Sequence, residues 1–281
     1  DLWHDFYPSW NLSSREVNQT FSSPERLIRA QGPDQVAAFM FEIYKGAAGF
    51  RVPDSYVRGI REMTTRLGIL WIDDEAIAGA GRSGKWWAYQ HTGAKPDLLV
   101  TAKGIGSSAA PAGAVLVAEG INDYLNSGVW NSVSTNSGHP LATAAIAATV
   151  ATINEEGVLD RVTQFGELIE RRLDDMVRRH ASVAGYSGRG FGWGIDISAL
   201  DGDRFLPADR WFVPGLDQQP EFNPAEFVAN ECLKRDMLTF TFIANTVTIA
   251  PPLSSTVEDI EFGLDALDAS FAALDERIKA M

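Results

Sequence analysis

Four short apolar runs, each followed by a polar or charged break, set the pattern of the first 120 positions. Residues 36–41 end at Glu42, residues 69–72 at Asp73-Asp74-Glu75, and residues 98–102 at Lys103-Gly104; residues 114–117 make the fourth run. Runs this short and this apolar suit strands covered on both faces. Between the first two lies a helical period. Pro53-Asp54-Ser55 opens it, Tyr56, Ile60, Met63 and Leu67 carry it, and Gly68 stops it. Apolar strands alternating with helices predict α/β units around a mainly parallel sheet buried on both faces. Open sheets of this kind bind ligands beyond the carboxyl ends of their strands. The polar residues that close the runs are therefore the first place to look for chemistry.

The rest of the chain is organised around that sheet. The first thirty or so residues, rich in Ser, Asn and Pro, read as loop. Residues 140–153 are Ala-rich and helical, and 159–179 form an amphipathic helix with Val162, Phe165, Leu168 and Leu173 on or near one face. After His180 come Gly-rich segments, short β-like runs and two late helices. This places a domain boundary near 180, with residues 1–180 as the C-terminal part of a large domain and 181–281 as a small α+β domain.

Composition narrows the function classes. A net charge of -13 disfavours the nucleic-acid backbone. Cys232 is the only cysteine, which excludes an internal disulfide and a cysteine-built metal site and suits a cytoplasmic protein. No apolar run approaches the roughly 20 residues of a membrane span. The histidines lack metal-ligand spacing, so no metal is expected. The run Gly188-Arg189-Gly190-Phe191-Gly192 does not sit between a strand and a helix, which argues against a dinucleotide loop.

Two strand ends carry complementary chemistry. Lys103 leaves an apolar run, an unusual place for a lysine; it suits either a solvated strand end or a Schiff-base amine that must be partly desolvated to lose its proton. Asp74 closes another run, and Asp73-Asp74-Glu75 reads either as a polar turn or as the source of a working carboxylate. A lysine and an acid on neighbouring strand ends are what pyridoxal phosphate needs, one for the imine and one for the pyridine nitrogen.

The residues around this pair resemble a known family. Residues 68–85, GILWIDDEAIAGAGRSGK, look like the class III aminotransferase signature, in which a strand ends in Asp-Glu and Gly-x-Gly-Arg-Thr-Gly-Lys follows. Lys95-Pro96-Asp97 and Ala102-Lys103-Gly104 are similar to that family's Lys-Pro-Asp and Ala-Lys-Gly, and Lys103 lies 29 residues after Asp74, the family spacing. Glu42-Ile43-Tyr44-Lys45-Gly46, Ser134-Thr135-Asn136-Ser137-Gly138-His139-Pro140 and Ala250-Pro251-Pro252-Leu253 resemble further family segments, in order along the chain.

The resemblance implies fold type I, the aspartate aminotransferase-like α/β fold of pyridoxal 5'-phosphate enzymes, here as a partial large domain plus the small domain. It implies that Lys103 holds the cofactor and moves a proton, that Asp74 pairs with the pyridinium nitrogen, and that Ala76 and Ile77 pack on the ring. Thr135 would bind the phosphate of the partner subunit, making the protein a homodimer or higher even oligomer. Glu42 stands at an active-site-proximal position, and Arg82 matches a family arginine. The implied reaction moves an amino group from a primary amine or ω-amino acid to a keto-acid or aldehyde acceptor. An aminomutase or racemase on the same fold, and a non-catalytic fragment, are the alternatives.

Departures from the family pattern shape two further expectations. The family's earlier stretch, with its phosphate loop and the aromatic residue stacked on the ring, has no counterpart here, so the cofactor cup of this chain alone is incomplete. Asn136 and residues 107–110 lack aromatic side chains common in the family, and Ala109 would leave room in the pocket. Thr248 and Thr241 stand where branches of the family carry a carboxylate-binding arginine. One hydroxyl cannot replace a guanidinium fork, so donors without a carboxylate at that end are expected.

Overall fold

The computed structural model describes residues 24–46, 49–128, 134–197, 222–243 and 246–280. They form two compact units: residues up to 44 with 52–159, and residues 45–51 with those from 160 on.

The first unit starts with α1 (Pro24–Gln31), where the sequence reads as loop. Local pairing accounts for the difference: Glu25 binds Arg29 one turn on and Arg66 of a later helix, while Ile28 is buried. The remaining elements of this unit before the site are β1 (Ala38–Phe41) and α2 (Asp54–Leu67); between them in sequence run the two-residue strands β2 (Tyr44–Lys45) and β3 (Phe50–Arg51), of which residues 45–51 count with the second unit. Helix α2 ends on Gly68 in the left-handed region, as the sequence predicts. Its buried stripe is Val57, Ile60, Met63 and Thr64, rotated from the predicted face, with Tyr56 and Leu67 half-buried.

The sheet of this unit runs β1-β4-β5-β6, with β4 at Leu70–Asp74, β5 at Leu98–Ala102 and β6 at Gly113–Val117. The β1–β4 and β4–β5 pairs are parallel, and β6 returns antiparallel. This is the expected mainly parallel sheet, but its cover is uneven. Trp71 and Leu99 are buried, whereas Val115 is 59% exposed and Leu116 and Val117 are also exposed. Phe41 stacks on Trp71 at 5.7 Å between ring centres. Asp97 fixes the start of β5: one of its oxygens accepts from the Trp71 amide at 2.8 Å and from Arg61 at 2.8 Å. Helices α3 (Glu119–Asn126) and α4 (Pro140–Glu155) complete the unit.

The second unit follows from α5 (Val158–Arg179), with β7 (Val183–Arg189), β8 (Gly192–Ile197), α6 (Pro224–Leu233), β9 (Phe240–Ile243), β10 (Thr246–Ile249) and α7 (Val257–Lys279). Its sheet is antiparallel throughout, in the order β7-β8-β10-β9. The glycine-rich run is the β7–β8 hairpin. A Cβ on Gly188 would come within 2.3 Å of the Gly192 carbonyl, so this turn needs its glycine for backbone approach. The single cysteine, Cys232, is buried in α6.

Candidate functional site

Strand β4 runs one turn of the pleat further than the apolar pattern suggests. Asp73 and Asp74 are both strand residues, paired with Leu99 and Val100 of β5. Successive strand residues face opposite sides, so the acidic triplet is divided rather than gathered in a polar turn. Asp74 is half-buried, and its Oδ1 accepts the Ala76 amide at 3.0 Å. Asp73 and Glu75 are both fully buried.

Glu75 holds the loop after β4. Its two carboxylate oxygens accept the amides of Ala88 (2.8 Å) and Tyr89 (3.0 Å), which open the 3-10 turn Ala88–His91. Its own amide donates to Val100 on β5 at 2.8 Å, and its carbonyl accepts the Thr101 hydroxyl at 3.4 Å. The loop between is tight. A Cβ on Gly79 would meet the Glu75 carbonyl at 2.7 Å and the Trp87 ring at 2.8 Å. Arg82 lies half-buried with its charge near the buried Tyr44 hydroxyl; burial lowers the guanidinium and raises the phenol from their ordinary values.

Lys103 follows β5 at once and opens the 3-10 turn Lys103–Gly106, which packs on α4. It is exposed and holds a left-handed backbone, with φ at 47°. Of the five non-glycine residues at positive φ among the described residues, Ala80 lies in the loop after β4, and Lys103, Ser107 and Ser108 lie after β5. Such conformations cost about 1–3 kcal/mol each and gather where a site over-determines the chain. Four of the five flank these two strand ends, which sets them apart from every other part of the described chain.

Asp74, Ala76 and Lys103 thus come together at the carboxyl ends of two hydrogen-bonded parallel strands. Ile77 is next along, 37% exposed. Glu42 is half-buried just beyond β1, the other neighbour of β4. Ala109 lies exposed in the turn before β6, and Thr135 exposed in the turn that leads to α4. His139, before Pro140, caps α4, its ring accepting the Leu141 amide at 3.2 Å. Thr241 on β9 and Thr248 on β10 belong to the second unit; Thr248 is 5% exposed and its hydroxyl has no hydrogen-bond partner among the described residues.

Sequence reasoning missed Asp73. Burial, then the neighbouring Glu75, push its carboxyl up to about 10, and neither oxygen meets a donor group. Burial also raises Glu75, opposed by the two amides it accepts. The one signal in the sequence was the strand period itself: continuing the alternation past Ile72 puts Asp73 and Glu75 on the Trp71 face.

Against this geometry, comparison with known proteins is specific. The Aminotransferase class-III family matches residues 7–271. A taurine–pyruvate aminotransferase from Bilophila wadsworthia is 27% identical, covering 90% of this chain and 56% of that protein. A leucine/methionine racemase from Thermococcus litoralis is 30% identical, covering 86% of this chain and 51% of that protein. Among solved structures, an S-selective transaminase from Arthrobacter sp. superposes with a TM-score of 0.83 at 35% identity, over 94% of this chain and 56% of that one. A taurine:2-oxoglutarate aminotransferase from Bifidobacterium kashiwanohense, in complex with PLP and glutamate, gives 0.83 at 28%, over 97% and 60%. The chain spans about half the length of the curated relatives it matches. With a family match over nearly its whole length and the fold of pyridoxal-phosphate transaminases, the chain belongs to the class III aminotransferases.

Proposed function

We propose that this chain serves a pyridoxal-phosphate-dependent transaminase that moves nitrogen from a primary amine to a keto-acid or aldehyde acceptor. The observation that carries the reading is the pairing of strand ends: Asp74 and, three residues beyond its partner Val100, Lys103 in a left-handed turn. The donor set fits the cofactor. Lys103 is an exposed residue, reachable for imine formation, with its desolvation left to the bound cofactor, and Asp74 offers a carboxylate with only one oxygen bound to the adjacent backbone.

When bound, pyridoxal phosphate supplies a carbonyl for the amine nitrogen and a ring that accepts an electron pair. Lys103 Nζ would hold the cofactor and, once released, carry a proton to and from the reacting carbon. The Asp74 carboxylate would keep the pyridine nitrogen protonated. Ala76 and Ile77 would pack on the ring, and Thr135 would offer its hydroxyl to the phosphate across a homodimer in the cytosol. Glu42 and Ala109 would border the donor pocket. Thr241 and Thr248 would offer no arginine to grip a substrate carboxylate, favouring plain amines. The large and small domains would divide near 180.

The test is borohydride reduction in the presence of pyridoxal phosphate, followed by peptide mapping. The label is expected on the Lys103 peptide; a label on another lysine overturns the assignment. A racemase reading is favoured by the Thermococcus relative. It is separated by incubating an amine donor with a keto acid: a new amino acid marks transamination, whereas inversion of an amino acid without nitrogen transfer marks racemisation.

A further inference from the structure

We propose that Asp73 and Glu75 share one proton inside the first unit, carried by Asp73, and that this neutralised pair is the positioning device for the strand end from which Asp74 projects. The service to Asp74 rests on the transaminase reading; the pair itself does not.

The geometry leaves little choice. Both side chains are fully buried, two residues apart on one face of the strand end. Glu75 spends both oxygens on the Ala88 and Tyr89 amides, which suits the charged form. Asp73 has no donor on either oxygen among the described residues. Two carboxyl groups side by side can bond each other only if one is protonated, and the one without donors keeps the proton. The elements around Asp73 offer no compensating charge. β1 presents Phe41 at its register and β5 presents Leu99; the titratable groups near the pair are Asp74 on the same strand end and Tyr89 on the 3-10 turn, itself pushed up by burial and by the two carboxyls. No cation among the described residues contributes to either group's titration.

The pair straddles Asp74 in sequence and holds the backbone on both sides of it. Glu75 ties the strand end to β5 through Val100 and to the returning loop through Ala88 and Tyr89. That leaves Asp74 one backbone course, with its Oδ1 on the Ala76 amide. Ionising Asp73 would place like charges side by side in a buried face and loosen the strand end three residues before Lys103 in register.

A carboxyl raised to about 10 in the folded chain binds its proton more tightly there than when unfolded. Its contribution is complete at acid pH and is lost as pH rises towards 10. For the 281-residue chain without cofactor, the unfolding equilibrium constant should therefore rise by up to about tenfold per pH unit between pH 5 and 9. Asp73→Asn, which keeps the shape and cannot ionise, should flatten that slope to the part carried by the other raised carboxyls, Glu75 and Asp196. Infrared spectra of the wild-type chain at pH 7 should show the carbonyl band of a neutral carboxylic acid, shifted by carbon-13 aspartate labelling, so the test survives even if the variant does not fold. A slope undiminished in Asp73→Asn, or a wild-type chain without the neutral band, overturns the pair. A chain with slope and band that never takes up pyridoxal phosphate supports the pair and sinks the transaminase reading instead. In the holoenzyme, Asp73→Asn should extend the alkaline limb of the activity profile, and Asp73→Leu, which cannot bond Glu75, should lose the cofactor's native absorption band that Asn retains. If Leu and Asn behave alike there, the positioning role fails.

Discussion

At the end of β4, Asp73 and Glu75 are buried without a cation among the described residues, and the cost is met by a retained proton. In the second unit, Asp268 and Asp275 of α7 hold the His180 ring between them, at 2.9 Å to Nε2 and 2.8 Å to Nδ1. Arg179 binds Asp268 through both oxygens, and the Ser182 amide donates to Asp275 at 2.9 Å. Burial works to raise Asp268, but its bonds to Arg179 and His180 outweigh that and hold it below the ordinary range. The same side chain thus titrates in opposite directions in the two units. What decides the direction is the set of donors that reach its oxygens, because a buried carboxylate needs either a countercharge or a proton.

The largest expected effect breaks the triplet at Asp74, its half-buried member. Asp74→Asn should lower kcat/KM by about 100-fold or more, roughly 2.7 kcal/mol, because a neutral amide cannot hold the ring nitrogen protonated. The cofactor should still be captured through Lys103. Asp73→Asn should cost far less, since it preserves a neutral donor toward Glu75. Steady-state kinetics on both variants decide this, and equal losses would show that the three acids act as one anionic cluster.

The next effect falls in the second unit. His180 is 7% exposed, packed on Phe271, and bridges α7 back to the end of α5. His180→Leu would take one donor from each of two partly buried carboxylates, at a cost of about 2–3 kcal/mol, read as a lower midpoint in urea. A change under about 0.5 kcal/mol would mean that solvent already serves both aspartates.

Much of this was legible in the sequence, and the rest was not for identifiable reasons. Lys103 and Asp74 stood out because a charge that ends an apolar run is conspicuous in a linear pattern. Asp73 did not, because its burial depends on Phe41 and Leu99 arriving from other strands, and its neighbour Glu75 is held by a turn that folds back from 13 residues beyond Glu75. The partners of His180 lie 88 and 95 residues downstream, beyond any spacing rule. Residues 114–117 read as a buried strand, yet β6 is largely exposed, since apolarity records what a strand can bury and not which neighbours meet it.

A smaller effect tests the sign of the comparison directly. Asp268 is held below its ordinary value, so its contribution is present above the unfolded value near 4 and is lost as pH falls through the folded one. Asp268→Asn should cost about 1 kcal/mol at pH 7 and less below pH 4. Asp73→Asn should carry the opposite sign, becoming more stable than wild type as pH rises. Unfolding midpoints collected from pH 3 to 9 should leave wild type in opposite directions as pH rises, Asp268→Asn falling below it and Asp73→Asn rising above it, and a shared sign would refute the contrast.

The smallest effect concerns a hydroxyl that has neither device. Thr248 sits on β10 opposite Gly194 and Phe240, 5% exposed, with no partner for Oγ1. Its backbone carbonyl is well served, accepting the Thr239 hydroxyl at 2.5 Å. A neutral hydroxyl can neither shed a proton nor draw a countercharge, so the burial cost stays with it. Valine matches threonine in shape and removes the polar atom. Thr248→Val should therefore leave the chain as stable as wild type or more stable by up to about 1 kcal/mol, where most buried substitutions destabilise. Thr248→Arg asks the converse question in the same place. A guanidinium inserted at a buried position should destabilise the chain cofactor-free, and recover part of that loss when a carboxylated donor is bound. Urea midpoints with and without an ω-amino acid measure both. If Thr248→Val loses more than about 1 kcal/mol, the hydroxyl has a bonding partner in solution, and the arginine variant should then gain nothing from a carboxylated donor.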